Sequence, residues 1–125
     1  MKKHDVMNST RTKLIIAGIF GFLAVAIGAF GAHGLKSILS EKMIQTYNTG
    51  VLYHLVHSVV LLALALADKM KFNKSFYMIM TGIILFSFSL YIYAITGITF
   101  LAMITPFGGV CFLIGWGMII KEGIK

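Results

Sequence analysis

The sequence predicts an all-α integral membrane protein: a four-helix transmembrane bundle with an outer amphipathic helix before the second span. Three observations carry this. Hydrophobic residues make up 58% of the 125-residue chain and charged residues only 12%, far from the balance of a soluble domain. The apolar residues fall into four blocks, 14–32, 51–67, 76–96 and roughly 99–120, and none of them contains Asp, Glu, Lys or Arg. Each block is close to the ~20 residues a helix needs to cross ~30 Å of hydrocarbon, and the alternation expected of membrane strands is absent. The chain divides into a basic cytoplasmic tail (1–13), a four-span domain (14–120) and a short cytoplasmic tail (121–125).

Taken in order, the N-terminal segment carries Lys2, Lys3, Arg11 and Lys13 ahead of the first block. A basic start before an apolar run superficially fits a signal peptide. The run of 19 residues exceeds a typical signal core, however, and Phe30-Gly31-Ala32-His33-Gly34 makes a poor cleavage site, so the span is read as retained. Asn8-Ser9-Thr10 is a glycosylation sequon in form only, because a cytoplasmic tail would not meet the transferase. Within span one, Ala17, Gly21, Ala24, Gly28 and Ala32 recur every three or four residues. This stripe of small residues suits close helix packing, inside the bundle in preference to a dedicated oligomer face. Gly34 is expected to end the helix in a left-handed cap.

The second block, at 17 residues, borrows length from upstream. Ser40 followed by Glu41 reads as a helix start, and Met43, Ile44, Tyr47, Val51 and Leu55 form an apolar face. This predicts an amphipathic helix at the outer interface running into span two, with Gly50 marking a bend. Asp68 to Lys74 is a tight basic hairpin, and the few residues around Thr96-Gly97 make spans three and four antiparallel neighbours. Thr105-Pro106 reads either as a cap restarting a helix or as a kink within span four. Gly108, Cys111 and Gly115 are a weaker small-residue counterpart on that span. Cys111 is the only cysteine, so no disulfide forms within the chain, and it reads as a small hydrophobe.

Of the eleven Lys and Arg residues, nine lie in the N-terminal segment, the 68–75 connection and the C-terminal tail, against Lys36 and Lys42 on the other side. Both termini are therefore expected in the cytoplasm, in the plasma or inner membrane. The net charge of +7 follows from that asymmetry and points to anionic lipid headgroups, with no module for nucleic acid. Tyr47, Tyr53 and Tyr93 are expected near the outer surface, and Phe76, Tyr77 and Trp116 near the inner one.

Polar residues inside the spans carry the functional question. His33 closes span one, His54 and His57 share a face of span two extended by Ser58, and Ser87, Tyr91 and Thr105 fall at similar depth. These residues predict a polar layer in the outer leaflet, a candidate site by virtue of its setting. The favoured reading is that they hydrogen-bond across helices and fix register. A proton or solute path is the next, since histidine titrates near neutral pH. Metal or haem ligation by His33, His54 and His57 ranks lower, with no carboxylate or thiol alongside. Hydrolysis ranks last, because no Ser-His-Asp set, HExxH or phosphate loop occurs. The expectation is a non-enzymatic protein with no catalytic residues, metal or cofactor. Its expected contacts are membrane lipids and either a second copy or another membrane protein.

The runs GAFGAHGLK (28–36), Tyr53-His54, LFSFSLY (85–91), ITPFGG (104–109) and Gly115-Trp116, in that order, resemble the small membrane proteins of domain of unknown function number 423. This group is also called uncharacterised protein family 0382 and includes the animal transmembrane protein 256. The resemblance extends from about residue 14 to 120. It implies a multi-span inner- or plasma-membrane protein and carries over no catalytic residue. One departure is Phe88, where the family tends to have Gly; a ring there argues against a close helix approach at that point.

Overall fold

The computed structural model describes the backbone of residues 3–125 and the side chains from residue 9 onward. Lys2, and the side chains of Lys3 and Asn8 on which the tail and sequon readings draw, lie outside the described residues. Helix α1 (Lys3–Phe30) continues as a π-helical turn, Gly31–Leu35. It is followed by α2 (Glu41–Ala67), a 3-10 turn (Met70–Phe72), and α3 (Asn73–Gly82), then a π-helical segment (Ile83–Phe88) leading into α4 (Ser89–Thr96). The final helix is α5 (Thr99–Ile124). Four helical spans result, Ser9–Leu35, Glu41–Ala67, Met70–Thr96 and Thr99–Ile124, each long and apolar enough to cross a membrane.

The burial pattern is that of a protein dissolved in lipid. Ile15, Phe22, Val25, Val59, Leu66, Phe100, Met103, Phe107 and Leu113 all point outward, while His54, Ser87 and Ser58 are buried inside. Helices are the only secondary structure among the described residues. They satisfy the backbone within each span, as hydrocarbon requires.

The caps explain where the spans turn. Ser40 accepts from the Met43 N–H at 3.2 Å, the N-cap expected from the sequence. Asp68 ends α2 in the left-handed region at φ 55°, a conformation that a short polar side chain tolerates. Gly97 ends α4 at φ 72°, donating to the Tyr93 carbonyl at 2.7 Å. Gly34, by contrast, is not a left-handed cap: Gly97 is the only glycine with positive φ among the described residues, and the chain leaves α1 through the π turn.

Two other expectations about helix breaks change. Helical structure runs through Gly50, whose missing side chain instead admits the Tyr91 ring; a Cβ there would lie 2.8 Å from it. The amphipathic segment is thus the first turns of α2 itself. Tyr47, Met43, Ile44 and Val51 pack with Leu35, Tyr91 and Ala94, and the fifth residue of that face, Leu55, is exposed. Thr105 is not a helix start, since α5 begins at Thr99 and continues through Pro106. Pro106 has no N–H to donate to Ala102 one turn back.

The core sits between α2, α3 and α5 and comprises Leu61, Leu64, Ala65, Phe76, Ile79, Ile83 and Phe112, with Ala17 of α1. Ala17 and Ala24 are buried, and Gly28 lies against Val51, so much of the predicted stripe faces the bundle. Gly21 and Ala32 depart from it: a Cβ on Gly21 would meet nothing within 4 Å, and Ala32 is exposed. The seam runs 17, 24, 31, and Ala32 is turned about 100° away from it. Gly31 takes its place, so close to the Tyr47 ring that a Cβ would lie 2.2 Å away. On α5, Gly108 and Gly115 are buried while Cys111 is half-buried. A Cβ on Gly108 would meet the Phe86 backbone nitrogen at 2.3 Å, and one on Gly115 the Ile79 side chain at 2.6 Å.

One end of the bundle gathers the basic residues. Thr10 bonds Asp68, and the buried Lys13 bonds Asn73, which fastens α1 to the α2–α3 connection. The basic segment that the sequence marks as a tail is therefore, from Lys3 on, part of α1. Lys71, Lys74, Lys121 and Lys125 line one hollow at this same end.

Candidate functional site: the intramembrane polar groups

The polar side chains within the spans are carried by α2 and the α3–α4 span, with partners on α1 and α5. On α2, His54 is fully buried and its Nδ1 lies 2.9 Å from the Tyr91 hydroxyl of α4. The imidazole is walled edge-on by Phe88, at 5.3 Å between ring centres, and by Phe20 of α1 at 6.0 Å. His54 Nε2 has no partner of hydrogen-bond geometry within the protein, although the Phe20 backbone of α1 acts on the ring. Ser58, one turn on, donates to the His54 carbonyl at 2.8 Å, so it serves its own helix and not a neighbour.

His57 is placed differently. Its ring stacks on Phe112 of α5 at 3.8 Å, a contact made possible by Gly82, where a Cβ would lie 2.5 Å from that phenyl ring. Nδ1 lies 2.7 Å from the Tyr53 carbonyl, and Nε2 lies 3.1 Å from the Trp116 indole nitrogen. A carbonyl only accepts and an indole N–H only donates, so these partners specify the neutral imidazole with its proton on Nδ1. Both nitrogens are then occupied.

The third pair joins the start of α4 to α5. Ser89 and Thr105 hydroxyls lie 2.7 Å apart, and Ser89 also donates to the Leu85 carbonyl at 2.6 Å. A π-helical stretch disturbs the regular ladder of carbonyl partners. The Ser89 hydroxyl supplies one of them, and Thr105 ties that hydroxyl to α5. Gly108, one turn beyond Thr105, lets the two backbones meet at Phe86. A fourth bond, from the Tyr47 hydroxyl to the Ile27 carbonyl at 2.6 Å, joins α2 to α1.

The predicted set is therefore brought together only in part. His54 meets Tyr91, and Thr105 meets Ser89 in place of Ser87. Ser87 is buried with its hydroxyl unpartnered within the protein. His33 is exposed on the π turn of α1. His57 lies three residues, roughly 4.5 Å, further along α2 than His54, and its partner Trp116 lies beyond Thr105 on α5. Among the described residues no cluster of His, Cys, Asp and Glu is arranged to hold a metal ion, so His33, His54 and His57 do not converge. Sequence reasoning missed Trp116, Ser89 and Gly82. Trp116 was readable as an interfacial anchor, and only its neighbour across α2 reveals that its N–H is committed. Tyr47, expected near the outer surface of the membrane, turns its ring into the bundle and is 2% exposed.

The motifs that pair here, LFSFSLY and ITPFGG, fall within a match to the family model described as "Protein of unknown function (DUF423)", which covers residues 27–109. The membrane protein YwdK of Bacillus subtilis, of the UPF0382 group, is 44% identical over 117 residues, 90% of this chain and 95% of its own. The chain belongs to the DUF423 family. The UPF0382 inner membrane protein YgdD of Escherichia coli is 37% identical over 121 residues, covering 94% of this chain and 92% of its own. A further UPF0382 membrane protein, from Staphylococcus saprophyticus, is 37% identical and covers 90% of this chain and 96% of its own. No solved structure matches the chain. In this DUF423 protein, Phe88 stands beside His54 and stacks on Phe20 at 6.1 Å, so the ring fills the space between α1 and α4.

Proposed function

We propose that this protein is a non-enzymatic structural or assembly component of the plasma or inner membrane, with both termini in the cytoplasm. Its neighbours are lipids and either a second copy or another membrane protein. The observation that supports it most is His57, whose two ring nitrogens are both engaged, by Tyr53 and Trp116, in the position where a conduit would need a free one. The His54–Tyr91, Tyr47–Ile27 and Ser89–Thr105 bonds likewise join helices in pairs, the use that polar side chains commonly serve in membrane bundles. The cytoplasmic termini are supported by the gathering of lysines at one end of the bundle.

A second reading, a proton- or small-solute-conducting protein, is supported by His54 Nε2 and Ser87 Oγ, both buried and unbonded within the protein. Reconstituted liposomes with a trapped pH dye separate the two. The structural reading expects no leak above empty liposomes, and expects His54→Ala and His57→Ala to lower thermal stability in detergent. A pH-dependent flux abolished by either substitution would establish the conduit instead.

A further inference from the structure

At the lysine-rich end a groove of about 600 Å³ lies between α3 and α5, walled by Tyr77, Met78, Cys111 and Met118 and reaching Thr81. Thr81 lies seven residues from Lys74, and Cys111 seven from Met118, so the groove runs roughly 10 Å into the hydrocarbon. Beside it is a hollow of about 420 Å³ lined by Lys71, Lys74, Lys121 and Lys125, with Glu122 its single acid. Lys74 and Met118 line both, so the two are continuous. Lys125 pairs with Glu122 at 3.1 Å, and the other three lysines have no carboxylate partner among the described residues. Three like charges around one hollow repel one another unless an anion stands between them.

Among its described residues, a second copy of this chain offers no free carboxylate to supply that anion. Of the described carboxylates, Glu41 starts α2 at the opposite end, Asp68 is bonded to Thr10, and Glu122 is paired. The copy would add lysines to lysines. An apolar trough capped by unpaired ammonium groups matches a molecule with an acyl chain and a phosphate whose charge no headgroup cation cancels. We propose that the α3–α5 groove binds one anionic phospholipid, its chain along Tyr77, Met78 and Cys111 and its phosphate between Lys74 and Lys121. The site holds under either reading of function given above.

Native mass spectrometry of the full chain in mild detergent, titrated with phosphatidylglycerol or phosphatidylcholine of identical acyl chains, tests this. The wild type is expected to bind the glycerol lipid at least about 25-fold tighter. Lys74→Gln with Lys121→Gln, both exposed side chains, is expected to weaken it about 25-fold, near fivefold per lysine, while leaving phosphatidylcholine unchanged. Lys36→Gln with Lys42→Gln, at the opposite end of the bundle, is expected to change neither. Thr81→Phe, which fills the trough, is expected to weaken both lipids. Equal binding of the two lipids by the wild type, or a lysine double variant that binds like it, would overturn the proposal. So would displacement of the lipid by equimolar glycerol 3-phosphate, or a Thr81→Phe variant with unchanged binding. A polypeptide held in the groove in place of lipid would also refute it.

Discussion

Gly108→Ala tests the contact on which α5 depends. The added methyl would lie 2.3 Å from the Phe86 nitrogen and 2.7 Å from the Leu85 carbonyl carbon and Phe86 Cα. That is about 1 Å short of ordinary contact, and the obstruction is backbone, which cannot rotate aside. Relief requires α5 to withdraw by about that amount, which carries the 2.7 Å Ser89–Thr105 bond beyond hydrogen-bond reach. Overpacking of this kind costs about 1–3 kcal/mol and an interhelical hydrogen bond in a membrane averages ~0.6 kcal/mol. Gly109→Ala is the internal standard. Its methyl would meet only the Phe86 ring, at 3.9 Å, and it shares whatever helix propensity Ala gains over Gly. The difference between the two variants is expected to be about 2–4 kcal/mol. Reversible unfolding in mixed dodecyl maltoside and SDS micelles, followed through the chain's single tryptophan, measures it. If Gly108→Ala and Gly109→Ala unfold within 0.5 kcal/mol of one another, roughly the usual noise of surface substitutions, the packing argument is wrong.

Three further outcomes follow from the same geometry. Trp116→Phe leaves His57 Nε2 without its donor, and unfolding in the same micelles, followed by circular dichroism because this variant has no tryptophan, is expected to register a loss of about 1 kcal/mol. Gly31→Ala, which drives a methyl into Tyr47, is expected to destabilise by about 1–3 kcal/mol, while Gly18→Ala, open on all sides, stays neutral or better. At the basic end, Asn73→Leu takes the hydrogen bond from a buried lysine and leaves it only the charge of Asp68, and is expected to cost more than Lys13→Met, which removes the charge and keeps the volume; paired melting curves in detergent decide the order.

The spans were legible in the sequence because hydrocarbon tolerates almost no charge over ~20 residues, a constraint that acts on every residue of a block. Ser40 and the Thr96-Gly97 turn were legible because their chemistry is local. Helix rotation was not, for a physical reason: Phe22 and Leu113 face lipid while Phe76 and Phe112 face protein, so inward and outward sides are equally apolar and the 3.6-residue signal fades. Small and polar residues carried what signal remained. Ala17, Ala24 and Gly28 marked the α1–α2 seam, yet Gly31 displaced Ala32 because Tyr47 needed room. Spacing singled out Ser87 and passed over Ser89, and the π-helical segment between α3 and α4, which no local residue preference announces, precedes the Ser89 that reaches Thr105.

Whether the buried polar groups act as interhelical ties is tested most directly by a double-mutant cycle on His54 and Tyr91 in the micelle titration. Tyr91→Phe removes only the hydroxyl that lies 2.9 Å from Nδ1, and His54→Phe keeps a ring between Phe20 and Phe88. The account predicts a favourable coupling of about 0.6–1.7 kcal/mol, within the range of membrane hydrogen bonds. Energies that simply add, to within about 0.3 kcal/mol, would contradict it.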